Sequence, residues 1–321
     1  MQRLLFILAV SFGSLGAGYV IQRVLVRSHP ERFEAINSVS GKMKLVALLV
    51  LQPIPIINSF WRLSMDNVEL LALPLLGALS LVVGGTAAIV FIKGFRIPPY
   101  RAGSVFTAGM FTNIGIFGAL IGFVLYGPIG FTVVQLVRVF EEAIYYAIGF
   151  PLSQQISAGG LQKFRFNWKL ITDRPIIAIP IGAIVIGTSL NVLNVPPPEL
   201  LARASGYIVP VMTAMLGSAI GLTLRVTKMG DYKREITLVM LIKYAIVPAV
   251  IIPAAWLLGL GQIMDGIPFK MMAIISFLPT GFIALVPPVL YDFDLDLANS
   301  AWLVTTLALL LVFPVVYFVV V

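Results

Sequence analysis

Two short stretches hold residues whose types and spacing could do chemistry inside an otherwise apolar chain. The first runs Thr107-Ala-Gly-Met-Phe-Thr-Asn-Ile-Gly-Ile-Phe-Gly-Ala-Leu-Ile-Gly122, with four glycines, two threonines and Asn113. That composition makes a poor uninterrupted helix. In hydrocarbon every backbone N–H and C=O needs an internal partner, so irregular backbone survives only where it is buried in protein or lines a cavity. A break there would let Thr112, Asn113 and Gly115 present a hydroxyl, an amide and bare backbone to a bound solute. The competing reading is a glycine-lined helix packed closely on a neighbour, with Asn113 bonded to a facing backbone.

The second stretch is Gln135-Leu-Val-Arg-Val-Phe-Glu-Glu142. Ionisable groups inside an apolar segment are expensive and normally face a bundle interior or water. Arg138 and Glu142 are four residues apart and share a helix face, while Glu141 is within reach at three. The structural reading is an internal ion pair. On a regular helix Glu142 is the better partner for Arg138, which leaves Glu141 in a low-dielectric setting where the neutral carboxyl is favoured and a coupling proton could bind. Lys243, in the eighth expected span, is expected to snorkel to the cytoplasmic surface, the alternative being a substrate contact. Asp292, Asp294 and Asp296 alternate, but the glycine and closing glutamate of a calcium loop are missing, so they are expected as solvated loop acids, with Asp296 near the start of the last helix.

Much chemistry is excluded. Cysteine is absent and His29 is the single histidine, in the polar segment Arg27-Ser-His-Pro-Glu-Arg32. Disulfides, thiol chemistry and a His-based nucleophile or metal site are therefore not expected. There is no Gly-rich nucleotide loop, no Ser/His/Asp constellation and no metal-ligand cluster, so no enzyme activity and no cofactor is expected. The net charge of +8 reads as membrane topology rather than nucleic-acid binding.

The elements that must position these residues are membrane helices. Of 321 residues, 59% are hydrophobic and 11% charged, and runs of the roughly twenty apolar residues needed to cross a bilayer recur throughout. Ten spans are expected, at 4–26, 44–60, 68–92, 99–124, 128–153, 175–193, 200–224, 236–260, 269–290 and 298–321. The first could pass for a signal peptide, but its apolar run is too long for a cleaved segment. Alternate connections hold sixteen Lys/Arg against four on the opposite side, which puts both termini outside and the central connection in the cytoplasm of a plasma-membrane protein.

A shift of 165 residues lays Val124-Leu-Tyr-Gly127 on Val289-Leu-Tyr-Asp292 and aligns five spans with five. An odd number of spans per copy inverts the second copy. The expected fold is thus all-α, with two inverted five-helix repeats over residues 1–160 and 161–321. The shift sets Asn113 one residue before Pro279, which cannot complete a helix inside the ninth span. Pro279, Thr280 and Gly281 then form a second break matched to the first. Helix N-termini exposed at such breaks would favour an anion.

Phe111-Thr-Asn-Ile-Gly-Ile-Phe-Gly118 and Leu278-Pro-Thr-Gly281 resemble motifs of the auxin efflux carrier family. Tyr291, Asp296, Leu297-Ala-Asn-Ser300, Thr305-Thr306 and Pro314 add to the likeness. The resemblance implies a fold related to bile-acid and Na⁺/H⁺ carriers, with helices 4 and 9 crossing at the substrate site. It also implies a crossover domain of spans 3–5 and 8–10 moving against a scaffold of spans 1, 2, 6 and 7. Members carry organic carboxylates such as indole acetate, malate or malonate. Many have an asparagine shortly after the ninth-span proline, where this chain has Phe282, Ile283 and Ala284, so substrate identity does not transfer.

The function expected is therefore secondary transport of a small organic anion by alternating access, with proton coupling. A non-transporting receptor or scaffold and a Na⁺-coupled bile-acid-type symporter are the alternatives. The candidate partners are that anion, membrane lipid and a second copy of the chain.

Overall fold

The computed structural model describes residues 1–28, 32–63, 68–159, 175–224 and 229–321. His29 and most of the central connection lie outside the described residues. Regular structure among the described residues is helical, apart from an antiparallel bridge between Thr112 and Thr280. Among the described residues, seven helical segments are long and apolar enough to cross a membrane: Gln2–Val26, Glu34–Trp61, Val68–Gly94, Ile114–Ser157, Glu199–Gly221, Gly230–Leu257 and Leu295–Val320. The expected sixth and ninth spans hold the shorter apolar helices Ala178–Val192 and Phe282–Tyr291. Large apolar side chains such as Leu75, Leu311 and Val319 are exposed along these segments. In water they would drive association; in a bilayer they face lipid. The chain is a polytopic α-helical membrane protein.

Ile114–Ser157 spans 44 residues, about 66 Å if straight, against a hydrocarbon core of about 30 Å. It does not run straight. Gly127 has φ 63° and ψ −145°, a conformation open essentially to glycine alone, and Pro128 follows it. Gly122 and Gly130 would stand about 12 Å apart in a continuous helix, yet a Cβ on Gly122 would come to 2.6 Å from the Gly130 carbonyl oxygen. The chain therefore doubles back at Gly127, bringing Gly122 and Gly130 face to face across the turn. Gly127→Ala is expected to destabilise the protein by about 1–3 kcal/mol, although a Cβ there would meet nothing within 4 Å. Gly13→Ala, in a helical stretch and equally uncrowded, is the control. Equal melting of the two variants would refute the turn's dependence on glycine.

The chain divides into two compact units. The first comprises Met1–Asp66, Gly115–Gln135 and Arg174–Arg225. Its helices Ser14–Ser28 and Glu199–Gly221 approach backbone to backbone. A Cβ on Gly18 would collide with the Ser218 carbonyl, and one on Gly221 with that of Leu15. Small residues permit that approach, and dispersion between closely packed helices is a main attraction available where lipid removes the hydrophobic drive. Ser40 Oγ donates to Ala219 O at 2.6 Å. At one end, Asn191 Nδ2 lies 3.1, 2.8 and 2.7 Å from the carbonyls of Phe60, Trp61 and Leu63, satisfying acceptors that the end of helix Pro53–Trp61 leaves free.

The second unit comprises Asn67–Ile114, Leu136–Asp173 and Val226–Val321. Its core includes Ala102, Val105, Ala108, Val239, Leu297 and Ala301. One expectation is corrected here. Asp294 is not a solvated acid but a buried one. It caps helix Leu295–Val320 by accepting from Leu297 N at 2.9 Å, also accepts from Tyr232 OH at 3.2 Å, and sits 3.7 Å from Arg101 Nε. Arg101 reaches Glu235 as well, at 3.0 Å. A helix N-terminus draws a carboxylate inward, and Arg101 balances its charge.

Candidate functional site

The site is built from two helix breaks within the second unit. Helix Pro99–Met110 stops at Phe111, whose backbone is extended (φ −84°, ψ 130°). The helical path resumes at Ile114. Helix Ile267–Ser276 stops in the same way, with Phe277–Gly281 outside any α-helix before the turn Phe282–Leu285. The two irregular strands run antiparallel and exchange backbone hydrogen bonds: Asn113 N donates to Pro279 O and Gly281 N to Phe111 O, each at 2.9 Å. Each break thus supplies the partners the other lacks, which irregular backbone at membrane depth requires. Gly281 is needed for the approach, since a Cβ there would sit 2.8 Å from Thr112 O. The same exchange consumes the Asn113 and Gly281 N–H groups, so neither of these donors is left for an anion.

Thr112, Asn113, Pro279, Thr280 and Gly281 are brought together in this way. Gly115 belongs to the first unit. Thr280 is anchored twice: its Oγ1 donates to Ala108 O at 2.9 Å, and its N–H donates to Thr305 Oγ1 at 3.3 Å. Asn113 is buried, and its side-chain Nδ2 has no hydrogen-bond partner among the described residues. An orphaned buried donor costs about 1–3 kcal/mol.

Two residues that sequence reasoning missed complete the site. Lys243 does not snorkel. It is 1% exposed, and its Nζ donates to Phe111 O at 2.9 Å and Thr112 Oγ1 at 2.8 Å. It lies in the π-helical turn Ile242–Ile246, an irregularity frequent at functional sites. The break explains its position: the Phe111 carbonyl, released from its helix, offers acceptor capacity, and an ammonium supplies the donor. Tyr145 is the second, buried with its hydroxyl accepting from Thr112 N and donating to Glu141 Oε1, each at 2.9 Å. Its place four residues after Glu141 was the available signal.

Arg138 pairs with both carboxylates, and the closer contact is to Glu141 rather than Glu142. Arg138 Nε bonds Glu141 Oε2 at 2.5 Å, whereas Arg138 Nη2 reaches Glu142 Oε1 only at 3.4 Å. Glu141 is 3% exposed and fully engaged through Arg138 and Tyr145; Glu142 Oε2 is buried with no partner among the described residues. The expectation that Glu142 pairs and Glu141 stands free assumed an unbroken helix. In fact residues 138–140 form a turn, with Glu141 N accepted by Arg138 O at 2.8 Å, and a new helix starts at Glu141. Regular i to i+4 geometry does not apply across that turn. Arg138, Glu141, Tyr145, Thr112 and Lys243 thus form one continuous hydrogen-bonded chain.

A polytopic helical chain with paired helix breaks and buried charges beside them is of the membrane-transporter class. In agreement, it is 20% identical over 270 residues, 84% of this chain and 85% of the other, to a protein of Methanothermobacter thermautotrophicus (strain Delta H) named an uncharacterized transporter. No family model matches the chain.

Proposed function

We propose that the protein is a secondary active transporter that moves a small organic anion across the plasma membrane by alternating access, as a member of the auxin efflux carrier family. The observation that carries this reading is Lys243 donating to the backbone of the first break, beside the buried, unpartnered amide of Asn113. A carboxylate accepting from Asn113 Nδ2 would recover the cost of that orphaned donor and lie near a fixed cation. The second unit would be the moving part and the first the scaffold, in a ten-span inverted-repeat chain with both termini outside. Dimerisation fits this reading, and no enzyme activity is proposed.

Charge balance supports proton coupling. With Lys243 protonated, Arg138 and Lys243 offset Glu141 and Glu142. A bound carboxylate adds one negative charge in a low-dielectric setting, and a proton on Glu142 restores neutrality. The test is uptake of labelled mono- and dicarboxylates into proteoliposomes under a pH gradient, with choline in place of Na⁺. Uptake that requires Na⁺ would favour the bile-acid-type symporter. A folded protein that binds a carboxylate yet supports no flux would favour a receptor.

Asn113→Ala is expected to remove stabilisation by a carboxylate ligand while leaving the ligand-free melting temperature at or above that of the parent, since the side-chain donor it deletes has no partner to lose. A drop in ligand-free stability with ligand stabilisation retained would show that the amide is structural. Thr280→Val acts on a hydroxyl bonded to Ala108 O and is expected to weaken binding only mildly.

A further inference from the structure

A second candidate site lies where helix Ala72–Gly94 ends, and it stands independently of the carrier reading. Ile89, Ile92, Ile97, Pro99 and Ile156 line a cavity of about 390 Å³, with Lys93 and Arg96 also in its wall. By the share of volume a water molecule takes, this is room for roughly thirteen water-sized groups. That fits a headgroup with the first part of an acyl chain. Both cations are exposed, and neither has an acidic partner among the described residues. The end of the helix is fixed: Ile97 N donates to Ile92 O at 3.0 Å, and Arg96 takes a left-handed conformation with φ 52°. That is a position for which glycine is the usual choice, so the turn itself does not call for arginine. Arg234 adds a third cation nearby, bonding Phe95 O and stacking 5.0 Å from the Phe95 ring.

We propose that this pocket binds an anionic phospholipid, its phosphate held by Lys93 and Arg96 and its proximal acyl chain lying along Ile89, Ile92 and Ile156. The pairing of an apolar wall with unpaired cations at one end matches an amphiphile whose charge sits at the membrane surface. Phosphatidylcholine shares the acyl chain but carries no net charge, and a free phosphate ester shares the charge but has no chain. Neither fits both parts.

The test is thermal unfolding of the purified full-length protein in detergent, titrated with phosphatidylglycerol, phosphatidylcholine or sn-glycerol 3-phosphate. Phosphatidylglycerol is expected to raise the melting temperature in a saturable way, and the other two are not. In Lys93→Gln/Arg96→Gln the apparent affinity for phosphatidylglycerol is expected to fall roughly thirtyfold, with the lipid-free melting temperature unchanged. Ile89→Trp keeps both charges but narrows the apolar wall where the acyl chain would lie, and is expected to weaken the effect as well. Equal stabilisation by phosphatidylcholine would overturn the proposal, as would equal stabilisation by glycerol phosphate. So would undiminished phosphatidylglycerol stabilisation of either variant. That last result would leave Lys93 and Arg96 as solvated cations at a helix C-terminus.

Discussion

Lys243→Met is expected to be among the more damaging single substitutions in the protein, lowering stability by about 1–3 kcal/mol. The side chain is nearly isosteric up to its charge, so packing changes little. What is lost is the donor to Phe111 O and Thr112 Oγ1, and buried acceptors deprived of a donor account for most of the cost. Denaturant or thermal unfolding of the reconstituted protein measures it. The reading makes a sharper demand on a second variant. Lys243→Met/Glu142→Gln restores charge balance, with Arg138 facing Glu141 alone, and is expected to melt above the single variant. If the double variant is less stable by the sum of both changes, the charges are not coupled.

Glu142→Gln is expected to abolish proton-driven accumulation while leaving substrate exchange intact. One unit of pH gradient carries about 1.4 kcal/mol per coupled proton, enough for about tenfold accumulation. Without the titrating group that ratio should fall to about one. The neighbouring Glu141→Gln should behave differently. Glu141 holds both Arg138 and Tyr145, so neutralising it leaves Arg138 only the longer 3.4 Å contact to Glu142. A loss of stability is expected first. Paired measurement of gradient-driven uptake, counterflow and melting temperature distinguishes the two. Accumulation by Glu142→Gln at the parent's level would sink the assignment of the proton to this carboxylate.

Much of the architecture was legible in residue types alone. The apolar runs marked out membrane segments because hydrocarbon thickness sets a minimum length of apolar sequence. The two breaks were visible because Pro279 cannot complete a helix and the glycines around Asn113 favour none. These are local properties: they depend on what a residue's own backbone can do, and a sequence states that directly.

The corrections share the opposite character. Lys243 looked like a side chain free to extend toward water, because nothing local says which carbonyl a neighbouring helix leaves free. That carbonyl belongs to Phe111, 132 positions away. Asp294 looked like a loop acid because Tyr232 and Arg101 are distant in the chain. Glu141, expected to stand free, takes the closer contact to Arg138, because a turn at residues 138–140 alters the helical phase, while Glu142 keeps the expected pairing at 3.4 Å.

By itself, then, the sequence determined that the chain crosses membranes, where its helices fail, and that Arg138, Glu141 and Glu142 fall inside a span, since hydropathy and backbone freedom are written one residue at a time. Only the tertiary structure decided which charge meets which partner. Each such pairing depends on how separate helices come together, and on the free energy of leaving a buried donor, acceptor or ion without a partner, which belongs to the pair and to neither residue alone.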